Sequence, residues 1–183
     1  MTARRAALAV AVVLAAFTGV LVIGLLGRED DTAAMAPSPL DGELAPALVG
    51  PTIDGSTYDL DRDRGAWVIV NFFATWCPPC VREHPELVEF AERHGDGDRR
   101  VLSVVFGGPG EAAATRTFFD RNGGDWPVLL DDGGRAAVDY GVTKVPESIL
   151  VAPSGVVVGK IRGGVTADGL DALIDALLAG VGS

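Results

Sequence analysis

Between Trp67 and Ala74 the chain reads WVIVNFFA, an apolar run interrupted only by Asn71. A run so short and so nearly continuous is the pattern of a strand buried on both faces. Such a strand forces a layered fold, because apolar material must cover each side of the sheet it belongs to. A helix from Cys77 to His94 follows, with Val81, His84, Leu87, Val88 and Ala91 at helical spacing and His94-Gly95 closing it. Val101 to Phe106 (VLSVVF) is the next buried strand. Gly110 to Asn122 reads as a helix ended by Gly123-Gly124, Val128 to Leu130 as a short strand, and Arg135 to Tyr140 as a short helix stopped by Gly141. Glu147 to Val151 and Val156 to Ile161 flank the turn Pro153-Ser154-Gly155 as a meander at the sheet's edge. Thr166 caps a last amphipathic helix, Ala167 to Ala179, with Leu170, Leu173, Ile174 and Leu177 on one side. Upstream, Leu44 to Leu60 carries short apolar patches around the turn pair Asp54-Gly55, a small hairpin. The expected class is α/β, a central mixed sheet flanked by helices, with an N-terminal hairpin and a central helix-strand insertion.

The amino terminus predicts one transmembrane helix before this domain. Arg4 and Arg5 precede Ala6 to Gly27, which is free of charge, and Arg28, Glu29, Asp30 and Asp31 follow. About 22 residues at ~1.5 Å each span ~33 Å, enough to cross the hydrocarbon core. A cleaved secretory signal is the alternative, with Ala34-Met35-Ala36 as its small-x-small site. Basic residues before the span and acidic ones after it put the bulk of the chain on the extracytoplasmic side of the cell membrane. The expected organisation is a cytoplasmic tail at 1–5, an anchor or uncleaved signal at 6–27, a linker at 28–42 rich in Ala, Pro and Ser, and the domain at 43–181. A formal net charge of -10 excludes nucleic acid as a partner, which would call for a basic stripe.

Cys77 and Cys80 are the only cysteines in the chain, set in TWCPPC. Haem attachment needs His directly after the second Cys, and that position is Val81. Zinc needs four ligands, and the remaining candidates, His84 and His94, lie ~15 Å apart along one helix. No metal and no cofactor is therefore expected. A structural disulfide would close too small a loop to stabilise much. A redox dithiol has positive physics: Cys77 sits where a buried strand gives way to a helix, so its sulfur meets the unpaired N–H groups and positive dipole end, which favour the thiolate. Cys80 lies one turn inside and can resolve a mixed disulfide, while Pro78 and Pro79 fit a first turn whose N–H groups have no partner anyway.

NFFATWCPPC resembles the active-site strand and helix of the thioredoxin superfamily, and YGVTKVPESILVAPSG, Tyr140 to Gly155, resembles its cis-proline loop. The resemblance runs from about Leu44 to Ala179 and implies a thioredoxin-like fold with a cis Val145-Pro146 bond packed against the dithiol. Three departures narrow it: Asn71 stands where thioredoxins carry a buried Asp, Gly110 to Leu130 is extra, and a membrane span precedes the domain. All three resemble the TlpA/ResA/CcmG group, also called DsbE, of membrane-anchored thiol–disulfide oxidoreductases. That resemblance implies an acid/base role for Glu83, three residues after Cys80 and so its neighbour on the helix. It also implies a docking surface of Trp76, Pro79, Val145, Pro146 and Glu147, Trp76 covering the dithiol. His84, one turn from Cys80, is expected to pack against the hairpin.

The function implied is extracytoplasmic reduction of protein disulfides in cytochrome c maturation. The substrate would be the Cys-x-x-Cys-His thiols of apocytochrome c, directly or through a partner, and the electrons would come from a CcdA-like membrane donor. The reverse chemistry, an oxidase of exported proteins, stays open on these residues, as does a redox-inactive docking module tethered to the membrane.

Overall fold

The structure, a computed structural model, describes residues 11–19, 33–95 and 97–181. The chain divides into two units, Met1–Asp30 and Asp31–Ser183. Of the first, residues 11–19 form a helix, α1; the rest of the expected span Ala6 to Gly27 lies outside the described residues. Among the described residues no helix is long and apolar enough to cross a membrane.

In the second unit the apolar run is strand β4 (Trp67–Phe73), every residue of it buried. It needs that composition because it lies mid-sheet with a layer on each face. Taking the other strands in chain order, β1 is Ala34–Ala36, β2 Val49–Pro51, β3 Thr57–Asp59, β5 Arg99–Val105, β6 Val128–Leu130, β7 Glu147–Val151 and β8 Val157–Arg162. The main sheet has the order β1-β8-β7-β4-β5-β6, parallel for β4-β5-β6 and antiparallel for β4-β7, β7-β8 and β8-β1. It is a mixed sheet, as the residue pattern predicts. Strands β2 and β3 form the separate hairpin around Asp54-Gly55, and Thr52 bridges to Leu129 of β6.

Alternation along β4 feeds two cores. Ile69 and Phe73 face a layer built from α2 (Pro78–His94) and α5 (Ala167–Val181), with Phe119 of α3 (Ala112–Asn122) and Trp126 beside them. Val68, Val70 and Phe72 face Leu48, Leu60 and Tyr140, the last following the short helix α4 (Arg135–Asp139). Helix α5 buries Leu170 and Ile174, and Thr166 Oγ1 caps it by accepting from Gly169 N at 3.1 Å.

Three expectations need correction. Residues 34–42, read as part of a linker, carry β1 and a turn whose Gly42 N–H donates to the Val157 carbonyl. An Ala-rich stretch too short to show a period hides an edge strand, since its pairing comes from the partner's backbone and not from its own side chains. The meander β7-β8 is consequently not at the edge: β7 pairs directly with β4, and β1 covers β8. In α2 the buried face is Cys80, Glu83, His84, Leu87 and Phe90, and Val81 is exposed. A carboxylate at an inward position displaced the apolar count by one residue.

Candidate active site

Strand β4 ends at Phe73, and the chain passes through Ala74-Thr75-Trp76 into α2 with Cys77 as N-cap. Cys77 Sγ accepts from the Cys80 backbone N–H at 3.3 Å, a capping role usually filled by Ser or Asp. Pro78 and Pro79 occupy the first turn, where no intrahelical donor is needed. Cys77 and Cys80 form a disulfide, and their residues are only 4% and 2% exposed. The preceding Trp76 is 60% exposed, so it is not core filler and presents its ring to solvent beside the buried sulfurs.

The loop from Gly141 to Glu147 comes up beside this helix end. Its Val145-Pro146 bond is cis, and the Val145 carbonyl oxygen stands 3.6 Å from Cys77 Sγ. Val145 is half-buried and packs against both cores, Pro146 is buried, and Pro79 is half-buried.

One turn beyond Cys80, Glu83 is buried. Asn71 Nδ2 donates to Glu83 Oε1 at 2.9 Å and to Ser148 Oγ at 3.1 Å, and the Val165 N–H donates to Glu83 Oε2 at 3.1 Å. Removal from water pushes the Glu83 carboxyl up from 4.5 to about 7, and the Asn71 and Val165 hydrogen bonds only partly oppose it. A group balanced between acid and carboxylate near neutral pH, one helical turn from the second cysteine, can take and return a proton there. Asn71 thus has a part that the residue pattern did not reveal. It stands out in the sequence as the missing Asp, and in the structure it is the donor that aims Glu83. The available signal was its place as the one polar residue in an otherwise apolar strand, since a buried amide demands a partner.

His84 does not meet the hairpin. It lies against Phe118 and Phe119 of the insertion, ring centroids 4.7 and 5.0 Å away, and its Nε2 donates to the Gly123 carbonyl at 2.9 Å. Burial holds the imidazole below its ordinary value, and the carbonyl opposes that shift. The insertion brings three aromatic rings, and these offer a larger apolar surface than the short hairpin.

Glu147 is 0% exposed and sits on the opposite face of the sheet from Glu83, opposite Phe72 in register. It therefore contributes no surface for docking. Its carboxylate is paired with Lys160 Nζ at 2.8 Å and Arg162 Nε at 3.0 Å. Lys160 and Arg162 escaped the residue reading, although a Lys inside the apolar strand VVVGKIR is itself a sign of a buried partner.

Residues 40–174 match the redoxin family. The thiol:disulfide interchange protein DsbE homolog of Paracoccus denitrificans is 35% identical over 155 residues, covering 82% of this chain and 80% of that protein. The thiol:disulfide interchange protein HelX of Rhodobacter capsulatus is 32% identical over 171 residues, 92% of each chain. Among solved structures, a thioredoxin-family thiol:disulfide interchange protein from Chlorobium tepidum superposes with a TM-score of 0.66 at 27% identity, over 77% of this chain and 98% of that one. With a Cys-x-x-Cys disulfide at a helix N-terminus, a thioredoxin-like mixed sheet and these relatives, the chain belongs to the redoxin family as a thiol–disulfide oxidoreductase of the TlpA/ResA/CcmG type.

Proposed function

We propose that the chain is a membrane-anchored, extracytoplasmic reductase of protein disulfides, acting on the Cys-x-x-Cys-His thiols of apocytochrome c and recharged by a CcdA-like membrane donor. The observation that carries the reading is Glu83, a buried carboxyl set near neutrality one turn from Cys80. The apolar segment Ala6 to Gly27, with its charge asymmetry, supports the anchoring, and the resemblance to the TlpA/ResA/CcmG group supports the substrate.

In the reduced protein the Cys77 thiolate, favoured by the α2 dipole and by amide donors such as Cys80 N, attacks one sulfur of the substrate disulfide. A mixed disulfide forms and the other substrate sulfur leaves as a thiolate. Glu83 in its carboxylate form takes the proton of Cys80, and the Cys80 thiolate attacks Cys77 Sγ. The substrate departs with both sulfurs reduced, and the enzyme keeps the Cys77–Cys80 disulfide. The Val145 carbonyl, beside Cys77, is where an extended substrate backbone would pair.

The reduction potential, measured by equilibration with dithiothreitol or glutathione, tests the direction. A value well below that of the strong oxidants, which lie near -120 mV, is expected. A value near it overturns the reductase reading in favour of disulfide formation. Cells carrying Cys77→Ser should lack holocytochrome c and regain it with added thiol; normal cytochromes in them would remove the haem-site substrate.

A further inference from the structure

The loop that faces Cys77 is tied at both ends by one ammonium group. Lys160 lies in β8 opposite Ile149, on the face of the sheet away from the dithiol. From there its Nζ donates to the Gly141 carbonyl at 2.6 Å and pairs with Glu147 Oε2 at 2.8 Å. These two residues bracket the segment Val142–Pro146, which includes the carbonyl next to Cys77 Sγ. Arg162 Nε holds the other Glu147 oxygen, and the Gly163 N–H donates to the Pro146 carbonyl at 3.1 Å. Gly141, at a φ of 61°, leaves α4 in a left-handed turn that an L side chain rarely adopts.

Stability alone does not account for such an arrangement. Lys160 is 2% exposed and Glu147 fully buried, and a buried ion pair is often no better than apolar residues of the same volume. An ammonium differs from an apolar side chain in holding two separate points of the chain at once, here Gly141 by a hydrogen bond and Glu147 by an ion pair. Those points are the start and end of the loop, and between them only Thr143 and Lys144 are exposed while Val142 is buried and Val145 half-buried.

We infer that Lys160 is a positioning residue: by joining Gly141 to Glu147 from beneath, it fixes the backbone on which an extended protein substrate aligns against Cys77. The inference rests on the protein-substrate reading above. It separates two kinds of disulfide. A protein strand needs the loop in place to dock, whereas a small disulfide needs only the Cys77 thiolate.

The test compares the full-length chain with Lys160→Arg and with the double variant Lys160→Met/Glu147→Gln, which removes both buried charges together; Arg162, which loses its carboxylate partner, is 44% exposed and keeps its charge in water. Each protein, fully reduced, is reacted with hydroxyethyl disulfide and with a synthetic peptide holding an oxidised Cys-x-x-Cys-His pair. In the double variant the single-turnover second-order rate constant for the peptide is expected to fall at least about tenfold, through weaker docking, because misplacement by ~1 Å is worth up to ~100-fold. Its rate with hydroxyethyl disulfide changes by less than about twofold, and Lys160→Arg, which keeps the donors, recovers most of the peptide rate. Parallel loss on both disulfides, or on neither, overturns the inference while leaving the function standing. A native protein that reduces hydroxyethyl disulfide but not the peptide instead overturns the protein-substrate reading on which the inference rests.

Discussion

Two glutamates of this domain are buried to nearly the same degree and are held in opposite ways. Glu83 lies on the α2 side of the sheet and receives only neutral donors, the Asn71 amide and the Val165 N–H. Glu147 lies on the other face and is clasped by two cations, Lys160 and Arg162. Burial alone therefore does not decide what a carboxyl can do. Neutral donors compensate part of the lost hydration, so Glu83 is raised to about 7 and can exchange a proton at working pH. Cations turn the same side chain into a fixed clasp between strands and loop. The first environment is suited to chemistry and the second to geometry, and the two meet at neighbouring residues, Glu147 and Ser148, of one strand.

The same substitution at both sites gives the strongest contrast. Glu147→Gln leaves Lys160 buried without its counter-charge and should lower the unfolding free energy by about 3–5 kcal/mol, read from denaturant midpoints. A loss below about 1 kcal/mol would mean that the two cations do not hold Glu147 as a clasp. Glu83→Gln should instead change how stability varies with pH. Because the folded carboxyl is raised from 4.5 to about 7, the folded state holds this proton more tightly than the unfolded state does. The native protein's contribution from Glu83 is then greatest below about pH 4.5 and declines as pH rises toward 7, by about 3 kcal/mol in total. The variant lacks that decline, so the difference between the two curves measures it; parallel curves would refute the raised value. Catalytically, Glu83→Gln should slow the resolving step by about 100-fold near neutral pH, with the mixed disulfide accumulating in quenched-flow samples.

Smaller effects refine the picture. Asn71→Leu removes a donor that favours the carboxylate and should raise the Glu83 titration further, by roughly one unit, in carboxyl-carbon NMR. An unchanged midpoint would mean that Val165 alone sets it. Ser148→Ala takes away only the acceptor that steadies the Asn71 amide, and its cost should be about 1 kcal/mol or less with a small shift at Glu83.

The legible parts of this molecule were those in which a residue's own side chain decides its place. Trp67–Phe73 could only be an inner strand, and Cys77 could only begin the helix it caps. The illegible parts depend on what another segment supplies. β1 has no pattern of its own and exists because β8 offers it a backbone. His84 was sent to the wrong neighbour because helical spacing gives a direction and not the identity of the partner. Glu147 was expected on the docking surface beside the loop, since nothing local in VPESI shows that Lys160 and Arg162 wait across the sheet. Buried polar contacts between distant segments are the hardest to read, as each member looks exposed until the other is known.

The strand β1 also bears on the order in which the domain can be assembled. Its partner β8 comes near the other end of the chain, so this pairing closes a long loop and comes late. A chain emerging amino end first presents β1 well before the strand it will cover. The two edges of the sheet then differ in kind: β6 ends the parallel half and is laid down by neighbours in sequence, whereas the β8 edge is sealed by a piece of chain already waiting next to the amino-terminal segment. Any intermediate with β7 and β8 formed but β1 undocked would show an open row of backbone donors and acceptors, the surface through which strands of separate molecules pair.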